Sequence, residues 1–371
     1  MINKTFTSTV VTTMEDWVSY LEKSFDYDIF HTYQYHVLDK RGTPLLFVYQ
    51  NENDFIAFPF LKREIEDSAL YDLTSVYGYS GPISNRKIED IDSLTKEGFE
   101  ESFKKFLLEE NCISVFSRLH PFIDQTKLFD NLCCLKNNGK TIYIDLTVSL
   151  EDQREGYNKR LARQIKKIKD RDYIIKEADR PEEIKIFTEM YTKNMERLSA
   201  AERYFYDEAY FTEILENKAL NGKLILVYDG EIMISGAIII CSKNIIRNHL
   251  SATNENYLKE SPSKLLTDEI SLIGREMGAK YFHLGGGFRG QNDSLFEFKS
   301  YFSNLFLEDY TWCYIADHDK YHAQVKDKNI TVDDGFFPLY RSSASKIVDQ
   351  LYTVKQINLP YFIGFTFSFF I

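Results

Sequence analysis

The sequence predicts an α/β (α+β) fold in which one unit, a mixed and mostly antiparallel sheet flanked by helices, is built twice. Two observations carry this. LFVYQNENDFIAFPFLKR (46–63) and LILVYDGEIMISGAIIICSKN (224–244) both read strand, polar turn, strand, and Val-Tyr closes the first strand in each. Around both hairpins the same order of patterns recurs: helix, three strands, helix, strand. MEDWVSYLEKSF precedes the first hairpin, and EEIKIFTEMYTKNMERL with DEAYFTEILENKAL precedes the second. YDLTSVYGYSG (71–81) and NIIRNHLSATN (244–254) supply the third strands. KEGFEESFKKFLLEEN and SKLLTDEISLIGREMG are the following helices, and CISVFSRL and KYFHLGG close the units. The expected division is an N-terminal domain at 1–150, a C-terminal domain at 151–341, and a tail at 342–371 that packs back on the N-terminal domain. The last eleven residues of the tail, YFIGFTFSFFI, read as a buried strand, with a membrane-surface anchor as the other reading.

A chain of 371 residues is long enough for two cores. Its net charge of −11 argues against broad nucleic-acid binding, and so against a DNA partner, while leaving room for one local basic patch. Five cysteines form no C-x-x-C pair, and seven histidines form no H-x-x-H or H-E-x-x-H, so neither a disulfide framework nor a metal site is expected. MINKTFTSTVVTTMEDW lacks the apolar stretch of a signal peptide. No run of about 18 apolar residues is present, so a transmembrane segment is not expected and a cytoplasmic location is.

At the join, Ser149 is the expected N-cap of a basic helix, REGYNKRLARQIKKIKDRD. Lys159, Arg160, Arg163, Lys166, Lys167, Lys169 and Arg171 crowd it, and Leu161, Ile165 and Ile168 form its apolar stripe. Such a face is either solvated or set against the phosphates of a substrate.

HLGGGFRGQNDSLFEFKSYF (283–302) carries Gly285, Gly287 and Gly290 at the spacing G-x-G-x-x-G. A dinucleotide-binding loop would open a succession of βαβ units, whereas these glycines close one, so that reading fails its context. Glycines at a strand's end let the backbone turn sharply or approach a ligand. Three stretches, HLSATNENYLKESPSKLLTDEI, YFHLGGG and SLFEFKSYF, give the C-terminal unit a specific likeness. It resembles the GNAT acyltransferase fold in the variant of the Fem-type (FemAB-like) peptidoglycan-bridge aminoacyltransferases. VYGYSGP (76–82), FSRLHPF (116–122) and, more loosely, MERLSAAERYFYDEAYF (195–211) extend the likeness over about residues 25–341.

The resemblance implies that 244–254 and 280–286 are splayed central strands with the acyl donor between them. Where coenzyme A-dependent relatives place a glycine-rich pyrophosphate loop, this chain has NENYLKESPSK, which contains no glycine and puts Pro262 at the start of a helix. That departure favours an aminoacyl-tRNA over acyl-CoA as co-substrate, and no separate cofactor is expected. Asn254, Ser261, Ser263 and Lys264 are the candidate donor contacts; N-capping and solubility are the plainer roles for the latter three. The resemblance makes Lys299, in FKSYF, the candidate catalytic residue, either on phosphate or orienting the reacting groups. An ordinary surface lysine would fit the same pattern. Glu297 stands where many GNAT enzymes have a general-acid tyrosine. Tyr77 and Tyr79 are candidates for an acceptor groove or for packing, and Arg197 for an acidic acceptor or a surface ion pair. The implied function is acyl or aminoacyl transfer to an amine on a peptidoglycan-type or other nucleotide-linked envelope precursor. An acyl-CoA- or acyl-carrier-dependent N-acyltransferase and a non-catalytic binding protein are the alternatives.

Overall fold

The computed structural model describes residues 6–129, 134–330 and 335–342. The chain makes two similar passes. The first runs β1 (Thr7–Val11), α1 (Met14–Lys23), α2 (Tyr33–Leu38), β2 (Thr43–Gln50), β3 (Phe55–Glu64), β4 (Tyr71–Thr74), β5 (Ile83–Ser84), α3 (Ser93–Glu109) and β6 (Cys112–Arg118). β7 (Leu135–Asp145), α4 (Leu150–Glu155) and α5 (Lys159–Lys169) follow. The second pass runs β8 (Tyr173–Glu177), α6 (Pro181–Arg197), α7 (Glu208–Glu216), β9 (Gly222–Asp229), β10 (Ile232–Ser242), β11 (Ile245–Thr253), α8 (Pro262–Glu276) and β12 (Tyr281–Gly285). After it come α9 (Ser294–Ser300), β13 (Leu305–Ile315) and α10 (His318–Asp327).

These elements form two compact units, one of residues up to Asn137 with those from Asp309 onward, the other of Asn138–Glu308. In the first, the strand order is β1-β2-β3-β4-β6-β13 with β5 beside β3; β4 and β6 are parallel and every other pair is antiparallel. In the second, the order is β8-β9-β10-β11-β12-β7, again with one parallel pair, β11 and β12. The helix between the parallel strands is α3 in one unit and α8 in the other. Each sheet therefore ends on a strand from the opposite half of the sequence: β13, which follows the second pass, and β7, which follows the first.

The compact units are consequently not the linear stretches 1–150 and 151–341. Trp312 on β13 supplies the physical reason. It is fully buried in the first unit's aromatic core, 4.8 Å from Phe129 and 5.9 Å from Phe58 between ring centroids. Around it α3 turns Phe99, Phe103, Phe106 and Leu107 inward at helical spacing, with Asp92 accepting from the Thr95 N–H to start the helix. In the second unit Ile144 of β7 joins Ile225, Val227, Ile246, Leu266, Ile270 and Phe282. The β2–β3 turn is closed by Asn51, whose Oδ1 accepts from the N–H groups of Asn53 and Asp54 at 2.8 and 2.7 Å. One expected helix is in fact two. Ser149 caps α4, which stops at Gly156, and Asn158 starts α5 by accepting from the Arg160 N–H. The tail at 343–371, with its apolar end, lies outside the described residues.

The first unit also buries Asp28, His31, His36 and His120. His120 Nε2 lies 2.7 Å from Asp28 Oδ2, and His31 Nδ1 accepts from the Asp28 N–H. Burial drives the His31 pKa down to about 3 and that of His36 to about 4, because a buried imidazolium loses its hydration. Folding therefore holds both rings neutral at pH values where the unfolded chain protonates them.

Two outcomes follow. Trp312→Ala should cost about 3–5 kcal/mol in urea unfolding, as for other buried large aromatics, and Trp312→Phe should cost less. Below the ordinary histidine pKa of about 6.5, stability should fall towards pH 4 by up to about 1.4 kcal/mol per pH unit for each of the two histidines. Unfolding curves of His31→Gln/His36→Gln should show a flatter slope across that window. An unchanged slope would show that neither ring is held neutral by folding.

Candidate active site

The second unit opens where its two parallel strands part. β11 and β12 pair over only three positions, Ile245↔Tyr281, Ile246↔Phe282 and Arg247↔His283, while β11 continues to Thr253. Two local irregularities accompany the divergence. A bulge in β11 leaves His249 between residues paired with Ile238 and Ile239, and the register of β12 on β7 slips between His283 and Gly285. The corresponding seam in the first unit stays closed. β4 pairs with β6 along its whole length, and beyond it the Ser75 and Ser80 N–H groups donate to the carbonyls of Phe116 and Arg118 at 2.9 and 2.8 Å. Of the two parallel pairs, only the second unit's splays.

The glycine run is explained by this turn. Gly290 has φ +75°, and a Cβ there would lie 1.6 Å from the Asn138 carbonyl oxygen of β7. A Cβ at Gly286 would meet the Lys140 carbonyl at 2.8 Å. The glycines let the chain leaving β12 press against β7. The loop is tied to α9 by Asp293, which accepts from the N–H groups of Phe288 and Phe296 at 2.8 and 2.9 Å.

Lys299 lies on α9, half-buried, and its Nζ donates to the Gly286 carbonyl at 2.6 Å. The ammonium thus sits at the C-terminal end of β12. Leu295 and Phe302 are the buried positions beside it, and Glu297 points the other way, accepting from the Tyr301 hydroxyl. A cleft of about 600 Å³ flanks α9 at Phe296 and is lined further by Lys140, Gln291, Asn292, Phe306 and Glu308.

The β11 side of the same mouth is cationic. Ser261 occupies the N-cap of α8 in a left-handed conformation (φ 52°, ψ 55°), and its side chain does not cap the helix. Its hydroxyl donates instead to the Leu258 carbonyl at 3.3 Å. Pro262 is the first helical residue, and Ser263 accepts from Thr267 Oγ1 through its carbonyl. A helix start left without a side-chain cap favours an anion. Lys264 stands in that first turn. Burial lowers its pKa, and repulsion from Arg160 of α5 adds to the effect. Asn158, which starts α5, donates from its N–H to the Tyr301 carbonyl just past α9, so α5, α8 and α9 converge.

Asn254 and Arg197 lie at the end of β11. Asn254 caps a short turn by accepting from the Asn256 N–H. Arg197 is exposed and donates to Asn194 Oδ1, while Asn194 Nδ2 reaches the Thr253 carbonyl at 2.7 Å. Tyr77 and Tyr79 belong to the first unit. The Tyr77 carbonyl accepts from Tyr35, and Tyr79 is buried beneath Arg118, whose guanidinium lies 4.2 Å from the ring and is clamped by Asp309. Packing is the role the contacts give Tyr79. The structure thus gathers Lys299, Asn254, Ser261, Ser263, Lys264 and Arg197 in one unit and places the two tyrosines in the other.

Sequence reasoning missed two features. His249, on the bulge, shares a 2.9 Å hydrogen bond with the Tyr210 hydroxyl, and Tyr206 stacks on Tyr210. Burial, with Arg247 nearby, lowers the His249 pKa to about 3. The sequence offers no signal that singles it out, because Arg247, Asn248, Ser251 and Thr253 are polar residues of the same strand. The second is the approach of Arg160 to Lys264, which sequence separation conceals. Among the described residues, no group of three or more His, Cys, Asp or Glu could hold a metal ion, and no helix is long and apolar enough to cross a membrane.

Residues 156–300 match a family model described as an acetyltransferase (GNAT) domain. No curated protein sequence gives a match. Among solved structures, FemX is similar at 13% identity and TM-score 0.66, over 85% of this chain and 99% of that one. L-PGS from Bacillus licheniformis is similar at 13% identity and TM-score 0.54, over 83% and 93%. A tandem GNAT protein from the clavulanic acid biosynthesis pathway follows at 6% identity and TM-score 0.50, over 84% and 99%. The splayed parallel strands, the helix start beside them and the family match agree: residues 156–300 are a GNAT acyltransferase domain, in a chain with the fold shared by FemX and the tandem GNAT proteins.

Proposed function

We propose that the second unit transfers an aminoacyl group from an aminoacyl-tRNA to an amine on a nucleotide-linked, peptidoglycan-type envelope precursor. The observation that carries the reading is the β11–β12 opening with Lys264, Arg160 and the α8 start on the β11 side of its mouth and Lys299 on the β12 side. Parted strands offer backbone groups that neither neighbour claims, and these suit the ester carbonyl of a donor. The likeness to FemX supports the aminoacyl class.

The donor preference follows from the loop. A pyrophosphate is cradled by successive backbone N–H groups, commonly from a glycine-rich turn. Here Pro262 removes one such donor, and Asn254 has its own side chain folded onto the Asn256 N–H. Two cations remain to neutralise a phosphate, an arrangement that fits a single phosphodiester better than the pyrophosphate of coenzyme A.

In the reaction, the acceptor amine attacks the ester carbonyl and the tetrahedral oxyanion collapses. An amide forms, the ester C–O bond breaks, and the departing ribose oxygen takes up the proton that the amine nitrogen loses. Lys299 is placed to stabilise negative charge near the end of β12. His249 is a poor proton acceptor for an amine, since an imidazolium with a pKa of about 3 holds a proton far less well than an ammonium. In this reading the amine reaches the site already neutral.

The direct test is to incubate the full chain with aminoacyl-tRNA or acetyl-CoA and a UDP-linked muropeptide, and to follow the new amide by mass spectrometry. Product with acetyl-CoA alone would replace this donor by the coenzyme. Lys299→Ala should slow transfer about 10²–10³-fold, the usual cost of a lost oxyanion donor. Because Lys299 also holds Gly286, its melting temperature should fall by a few degrees, roughly 2–4 °C per kcal/mol. Lys299→Arg should recover only part of the rate. Undiminished turnover in the alanine variant would leave Lys299 a loop-fastening residue alone. The transfer rate should also climb with pH through the amine's own titration, near 8 for an α-amino group, with no plateau at about 6.5.

A further inference from the structure

The basic helix α5 carries more cations than the second unit pairs. Leu161, Ile165 and Ile168 are 1%, 6% and 6% exposed and pack into the second unit. Lys159, Arg160, Arg163, Lys166 and Lys167 are all exposed. The next cations along are used internally: Lys169 pairs with Asp268 and Glu269, and Arg171 with Glu260. Among the described residues none of the five exposed cations pairs with a carboxylate, in a chain whose net charge is −11.

This arrangement is locally unfavourable. Lys159 and Arg163, and Arg163 and Lys167, are like charges four residues apart, each pair destabilising by about 0.2–0.5 kcal/mol. Lys159 and Arg160 also occupy the first turn, where the helix dipole disfavours cations. A bound polyanion would reverse both effects.

We propose that the exposed face of α5 is the docking surface for the phosphate backbone of an RNA. The face begins at Lys159 and Arg160, beside Lys264 and the start of α8, and runs about 12 Å to Lys167, which is the span of about three to four phosphates on one strand or about seven counting both strands of a duplex. A row of cations that tracks away from an opening suits a strand whose end enters it. An anionic membrane is disfavoured because every apolar residue of the stripe is already buried, leaving nothing to insert between lipids. That the RNA is the acyl carrier rests on the function proposed above; the docking itself does not.

The test uses unfractionated deacylated tRNA and the full chain, with fluorescence anisotropy from 50 to 200 mM KCl. The logarithm of affinity should fall with the logarithm of salt at a slope of about −3.5 to −4.5, as five phosphate contacts require. The variant Lys159→Gln/Arg163→Gln/Lys166→Gln/Lys167→Gln, which spares Arg160, should bring the slope to about −1 and weaken binding at 50 mM at least 100-fold. Its melting temperature should equal or exceed that of the parent, because both like-charge pairs are removed. No tRNA binding by the parent at 50 mM KCl, or equal binding by the variant, overturns the proposal. So does co-sedimentation with vesicles of 30% phosphatidylglycerol that the variant loses while tRNA binding persists. Lys299→Ala should retain tRNA binding. If the variant loses tRNA while only acyl-CoA supports transfer, the docking surface stands and the donor reading falls.

Discussion

Three backbone pairings hold β11 to β12, and the candidate site of the second unit depends on their ending at Arg247 and His283. Were the strands paired throughout, as β4 and β6 are, their N–H and C=O groups would satisfy each other and offer nothing to a donor. The parting is fixed from both sides. A bulge re-aims β11 at His249, and the slip of β12 on β7 turns its end into the glycine loop. Lys299 then fastens that loop from α9. Changes at the bulge or at the register slip would disturb the opening without removing a side chain assigned to the reaction, whereas losing Lys299 would do both.

The first unit shows what the same topology does when it is not opened. Its seam is stitched beyond β4 by Ser75 and Ser80, and Arg118 at the end of β6 is committed to Asp309 and the face of Tyr79. Groups that could have met a ligand are thus consumed by the fold. The repeat is architectural in both units, while the splayed strands belong to one.

Much of this was readable from residues alone. The two hairpins, the helix that follows each third strand, and the strands at 244–254 and 280–286 are local patterns of period 2 or 3.6, and local patterns survive into the structure. The exchange of β7 and β13 is not local. Nothing around Trp312 distinguishes a strand that completes its own half from one that completes the other, because pairing partners lie far apart in sequence. The break between α4 and α5 was hidden for a different reason, as Gly156 and Asn158 are weak interruptions within a strongly amphipathic run. At the candidate site, Lys299 and Lys264 were visible as residue types in a motif. The Gly286 carbonyl and the nearby Arg160 were not, and these set what the two ammonium groups can do.

The charges of α5 and its surroundings separate into two kinds once burial is considered. Asp268 of α8 is fully buried. Burial pushes its carboxyl up, but hydrogen bonds from Arg154 and Lys169 outweigh this, and the pKa is lowered overall. Tyr157 adds a further donor at 3.0 Å. Removing one partner from such a group is costly, since it leaves a buried charge uncompensated. The network therefore pins α4 and the end of α5 against α8, and with them the direction in which the remaining cations face. Lys169 is spent on that task, whereas Lys159, Arg163, Lys166 and Lys167 have no such carboxylate among the described residues. A helix held rigidly by its internal cations presents its external ones in a fixed row, and a fixed row loses less side-chain and backbone freedom on meeting a phosphate chain than a mobile one would.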